Sequence, residues 1–136
     1  MKRIQDKLQL NKIGPSFSRL RSNDPTLTTL YLSYNQIDDS EASGLAAALQ
    51  HNSTLTSLDL SGNSIGASGA SWLAAALQHN STLTSLDLSH NNFGDDGISN
   101  FAGVISCLNL VHRSFLTSWL GEQALKTALI IANRIL

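Results

Sequence analysis

The 136 residues are 42% hydrophobic and 14% charged with a formal net charge of −1, which is apolar enough for one domain with a modest core and too poorly charged for a disordered tail. Six of the nine Lys and Arg residues lie in the first 21 positions; Ser22 to Leu110 contains none, yet holds Asp24, Asp38, Asp39, Glu41, Asp59, Asp87, Asp95 and Asp96. An acidic body repels phosphate backbones and counts against nucleic-acid binding, and the lone Cys107 excludes an internal disulfide or a thiolate zinc cluster.

Residues 1–26 open on a basic stretch. Lys2, Arg3 and Lys7 interleave with Ile4, Leu8 and Leu10, a spacing that suits a short helix docking on the acidic body, or alternatively a membrane surface or acidic partner. Leu8, Leu10 and Ile13-Gly14 also read as a worn repeat or cap. No signal-peptide run is present, and the longest apolar stretch, Ala128 to Ala132, is far too short to span a bilayer. The expected location is the cytoplasm.

Residues 27–105 are repetitive. Leu45 to Ser61 (LAAALQHNSTLTSLDLS) recurs without change at Leu73 to Ser89, 28 positions later. Three units align at that offset: Leu27, Leu30, Leu32, Asn35 and Ile37; Leu55, Leu58, Leu60, Asn63 and Ile65; Leu83, Leu86, Leu88, Asn91 and Phe93. The Leu-x-Leu step has the two-residue period of a strand with one buried face. Leu45 and Leu49, Leu73 and Leu77, Phe101 and Ile105 then keep a four-residue step, with alanines between them in the first two units, which is a helical stripe. Asp38-Asp39-Ser40, Ser68 and Asp95-Asp96 are the expected helix starts. Asn52 and Asn80 follow the helices and are expected as left-handed C-terminal caps. Each also opens an Asn-x-Thr sequon, read as a repeat residue rather than a glycan acceptor. Trp72 is expected to pack over the helical surface.

A strand and a helix cannot bury their own apolar faces, so the units must stack. Parallel strands about 4.8 Å apart sit closer than helices about 10 Å across. The expectation is an α/β fold, a curved right-handed leucine-rich repeat solenoid with strands on the concave side and helices on the convex side.

The pattern of Leu58, Leu60, Asn63, Ile65, Gly66, Gly69, Leu73 and Leu77 resembles the ribonuclease-inhibitor-type leucine-rich repeat, also seen in NOD-like receptors and Ran GTPase-activating proteins. The resemblance implies that Asn35, Asn63 and Asn91 form a structural ladder of amides bonding turn backbone inside the stack. It implies no ligand contacts. Residues 106–136 depart from the pattern: Gly121, Leu125 and Leu129 reproduce the spacing of Gly69, Leu73 and Leu77 at an offset of 52, a degenerate fourth repeat or helical cap.

Alternation along each strand turns fixed residues outward. These fall in columns: Tyr31, Asp59 and Asp87 in one, Tyr34, Gly62 and His90 in another. Stacked Asp59 and Asp87 favour a cationic neighbour, and tyrosine is a frequent interface anchor. Tyr31, Tyr34, Asp59, Asp87 and His90 are therefore the candidate partner-binding strip, set against the alternative of a solvated face copied with its repeat. The function expected is a non-catalytic protein–protein interaction module for a partner with a basic surface. The alternatives are a regulator of the Ran GTPase-activator type or a fragment of a larger NOD-like receptor-type protein. No catalytic residue, metal ligand or cofactor is assigned: the paired aspartates lack an identifiable base or nucleophile beside them.

Overall fold

The computed structural model describes residues 13–105. The basic stretch at 2–10 and the C-terminal cap expected at 106–136 lie outside the described residues. In chain order the elements are α1 (13–21), β1 (Thr29–Tyr31), α2 (Asp39–His51), β2 (Ser57–Asp59), α3 (Ala67–Leu77), β3 (Ser85–Asp87) and α4 (Gly94–Ile105). The strands form one open parallel sheet in the order β1-β2-β3. Its register advances by one repeat per strand, so Leu30 pairs with Leu58 and Leu58 with Leu86. On the other side of the core α2 packs on α3, and α3 on α4. The fold is an α/β leucine-rich repeat solenoid.

The core is the repeat pattern itself. Leu27, Leu30, Leu32, Ile37, Leu45 and Leu49 are buried, as are their counterparts from Leu55 to Leu77. Each such side chain contributes about 1.5–3 kcal/mol when removed from water, a gain available only when a neighbouring unit covers it. The third unit uses aromatics instead: Phe93 and Phe101 meet edge to face, centroids 6.2 Å apart and planes at 70°. α1 stands one repeat before α2, with Ile13 and Leu20 in the core and Phe17 packed against it.

Helix starts are built across units as well as within them. Asp38 caps α2 through a capping box: Oδ1 accepts from the N–H groups of Ser40 (2.9 Å) and Glu41 (3.2 Å), and Glu41 Oε2 accepts from the Asp38 N–H. α3 does not start with a Ser68 cap. Its N-cap is Gly66, which offers no side chain. Asp39 of the preceding unit supplies the acceptor, its Oδ1 taking the N–H groups of Gly66 at 2.7 Å and Gly69 at 2.9 Å. A Cβ on Gly69 would lie 2.6 Å from that oxygen and 2.6 Å from Ile65 Cγ2, so the bare Cα is what lets the carboxylate reach the helix end.

Two amide ladders close the turns. On the strand side, Asn63 Oδ1 accepts from the N–H groups of Asn35 and Ile37, each at 3.0 Å, while its Nδ2 donates to the carbonyls of Leu32, Leu60 and Ser61. Asn91 bonds Ile65 N–H and Leu60 O of the unit before it in the same way. Asn35, at the first position, donates to Ser33 O.

The second ladder replaces the expected left-handed caps. Asn52 is extended, with φ −79° and ψ 133°; its side chain turns inward and bonds backbone on both sides. Nδ2 donates to Leu20 O (2.9 Å) and Oδ1 accepts from Thr54 and Leu55 N–H. Asn80 repeats the arrangement on Leu49 O, Asn52 O, Thr82 N–H and Leu83 N–H. A left-handed residue would satisfy only its own helix, whereas here the carbonyls that need donors belong to the unit before.

Asp24 occupies the same slot in the first unit. Its Oδ1 accepts from the Thr26 N–H and hydroxyl, and its Oδ2 meets Arg19 Nε at 2.6 Å. The Thr26 hydroxyl first, then the Arg19 guanidinium and the Thr26 N–H, lower the Asp24 pKa from 3.8 to about 2.

Candidate functional site

The sheet register places the candidate strip. Tyr31 pairs with Asp59 and Asp59 with Asp87, so the three side chains stand side by side, about 4.8 Å apart from strand to strand. Tyr31 is 75% exposed, Asp59 is half-buried and Asp87 is exposed. The aspartates also shape the chain that carries them. Asp59 Oδ1 accepts from the Ser61 N–H (2.9 Å) and hydroxyl (2.6 Å), and Asp87 Oδ1 accepts from the Ser89 N–H (2.9 Å). These bonds fold the turn after each strand, a role the alternation pattern alone does not reveal.

The second column sits at that turn. Tyr34, Gly62 and His90 all have left-handed backbone, with φ of 55°, 64° and 55°. Glycine adopts this conformation freely, whereas Tyr34 and His90 hold it at a cost of roughly 1–2 kcal/mol each. The Tyr34 ring lies across Gly62: a Cβ there would fall 2.5 Å from Cδ1 and 2.8 Å from Cζ. Tyr34 nevertheless remains 76% exposed, and His90 is exposed as well. The structure thus brings all five candidate residues to one face, in two adjacent columns, with the tyrosines at the β1 end and Asp87 and His90 at the β3 end.

On the helix side, Trp72 departs from its expected packed role. It is 57% exposed; the flanking units place only Gly44 and Asn100 in its slot. It borders a cavity of about 260 Å³ between α2 and α3, lined also by Ala46, Ala47, Ala75 and Gln50. His51 and His79 are exposed. No described helix is long and apolar enough to cross a membrane.

The class of protein is therefore set by construction: a stack of strand–turn–helix units closed by buried amides, with its variable side chains on the strand face. The model of the family described as "Leucine Rich repeat" matches at residues 23–46, 51–74 and 79–102. The chain belongs to the leucine-rich repeat family. Two solved structures are similar to it in fold. One is the tropomodulin C-terminal domain of Caenorhabditis elegans, with a TM-score of 0.59 and 14% identity over 90% of this chain and 92% of that one. The other is the leiomodin-1 actin-binding site 2 (ABS2), with a TM-score of 0.53 and 24% identity over 69% of this chain and 72% of that one. No curated protein sequence matches significantly.

Proposed function

We propose that this chain is a non-catalytic protein-interaction module of the cytoplasm, binding a basic protein surface through Tyr31, Tyr34, Asp59, Asp87 and His90. The observation that carries this reading is the retention of Tyr34 and His90 at a left-handed position where the unit between them uses glycine. Backbone strain that a glycine would relieve is expected to persist where the side chain has a use. The aromatic and acidic columns complement it: Tyr31 and Tyr34 supply exposed anchors, beside two aspartates on a body without Lys or Arg from Ser22 to Leu110. Within the family, the 28-residue period and the Asn63 and Asn91 positions favour the ribonuclease-inhibitor type.

Because the similar leiomodin-1 structure is an actin-binding site, actin is the first partner to test. Binding of the full chain to monomeric actin is measured for wild type, Tyr31→Ala/Tyr34→Ala and Asp59→Arg/Asp87→Arg. A tenfold or greater loss in both variants is the expected result. In parallel, a photo-crosslinking residue at position 31 captures partners in cells. A partner captured equally well when Asp59 and Asp87 are reversed in charge would remove the strip from the interface. Stimulated GTP hydrolysis across a panel of small GTPases would replace this reading with the GTPase-activator one.

A further inference from the structure

The sequons Asn52-Ser53-Thr54 and Asn80-Ser81-Thr82 are an N-glycan acceptor pattern whose acceptor nitrogens the fold already uses. Asn52 is 5% exposed and Asn80 is 8% exposed. Both N–H groups of Asn52 Nδ2 are engaged, one by Leu20 O at 2.9 Å and one by Thr54 Oγ1 at 3.1 Å. Both of Asn80 Nδ2 are engaged by backbone of the preceding unit, Leu49 O at 2.8 Å and Asn52 O at 3.1 Å.

Glycosylation takes an oligosaccharide from a lipid diphosphate donor: the bond from the anomeric carbon to the diphosphate oxygen breaks, Nδ2 bonds that carbon, the lipid diphosphate leaves and one Nδ2 proton passes to the transferase's base, turning a primary amide into a secondary one. At Asn80 this leaves either Leu49 O or Asn52 O without its donor. It also sets a carbon where a carbonyl oxygen lies 2.8–3.1 Å from nitrogen, with the rest of the glycan behind it in the seam between two stacked units. No rotation of the side chain escapes the clash while the ladder holds, because Oδ1 is pinned by Thr82 and Leu83 N–H. In the unfolded chain both sequons are open.

We propose that N-glycosylation of Asn52 or Asn80 and the folded repeat stack exclude each other: the two sequons are acceptors only before folding, and their modification blocks it. The repeat stack therefore forms only from chains whose two sequons are still unmodified. This inference rests on the second amide ladder and is independent of the strand-face reading.

The test directs the full chain, behind a cleavable signal peptide, into the secretory pathway of a cultured cell and compares it with the same chain made in the cytosol. The expected result is a glycosidase-sensitive mass increase at Asn52 and Asn80, located by peptide mass spectrometry, with loss of the cooperative melting and protease resistance of the cytosolic product. Thr54→Val/Thr82→Val removes both sequons while leaving both asparagines in place, and is expected to restore the folded secreted form. Blocking glycan transfer with tunicamycin makes the same test on the unaltered chain and needs no variant to fold. A glycosylated product that melts cooperatively at the cytosolic temperature would overturn the proposal. A secreted wild-type chain that is folded and unmodified without tunicamycin would show folding ahead of transfer and would support it.

Discussion

The ring of Tyr34 rests on the bare Cα of Gly62, one repeat further along the chain and in the same left-handed turn position. The two residues are coupled: the glycine admits the ring, and the ring shields the glycine. Gly62→Ala both strains the backbone at φ 64° and collides with the ring, so it is expected to destabilise the fold by about 2 kcal/mol. In a Tyr34→Ala background only the backbone part remains, about 1 kcal/mol. A double-mutant cycle by urea denaturation measures the difference; equal costs in both backgrounds would show that the ring makes no contact of consequence.

His90 has the same backbone and no glycine's freedom. His90→Gly is expected to stabilise the fold by about 1 kcal/mol while weakening partner binding. Thermal unfolding and the actin assay read the two effects separately.

The strand-side ladder predicts a gradient. Asn63 bonds five backbone groups, three of them in the preceding unit, whereas Asn35, among the described residues, donates only to Ser33 O. Asn63→Ala is expected to cost about 3 kcal/mol or more, and Asn35→Ala about 1 kcal/mol. Urea midpoints at unchanged slope check the ranking.

Asp39 acts on a helix that is not its own. Asp39→Ala is expected to cost about 1–2 kcal/mol through the exposed start of α3. Asp39→Asn keeps an oxygen acceptor and loses about half as much. Amide hydrogen exchange locates the effect: the Gly66 and Gly69 amides exchange faster in Asp39→Ala, and those of Ser40 and Glu41 do not.

The Asp24 carboxyl gives a pH signature. Its pKa is about 2 against an ordinary value of 3.8, so the ionised form is favoured by folding. That contribution is fully present above about pH 3.8 and is lost as the pH falls through about 2. Thr26→Val and Arg19→Ala are each expected to raise the Asp24 pKa, since the threonine hydroxyl and the guanidinium both bond the carboxylate. NMR titration of the Asp24 side-chain carbonyl reads the shift directly.

How much of this is legible in the sequence depends on the range of each interaction. The strand leucines, the helical stripes and the repeat length are periodic, so the solenoid follows from Leu30, Leu58 and Leu86 and their 28-residue spacing. The column of Tyr31, Asp59 and Asp87 follows from alternation, whereas Tyr34, Gly62 and His90 stand beyond the strands in left-handed turns and are grouped by their 28-residue recurrence. Ser68 reads wrongly as a helix start because the true acceptor, Asp39, lies 27 residues from Gly66 and no single unit contains both. Asn52 does stand at the C-cap of α2, but extended and not left-handed, and Asn80 lies beyond the Gln78 C-cap of α3; both side chains act between units, on Leu20 and Leu49. The signal available is their recurrence at 28 residues, which points to an interaction between units. The turn-forming role of Asp59 stands in the Asp-x-Ser spacing of Asp59 and Ser61, repeated at Asp87 and Ser89.

Both amide ladders address mostly main chain. Asn63 and Asn80 recognise carbonyl and amide groups of the unit before them, and every unit presents such groups at the same places whatever its side chains. A newly inserted copy thus meets compatible partners on its first appearance, without matching changes elsewhere. The unaltered recurrence of Leu45 to Ser61 at Leu73 to Ser89 is the kind of event such wiring permits: the array can lengthen by whole units while the side chains on its strand face diversify afterwards.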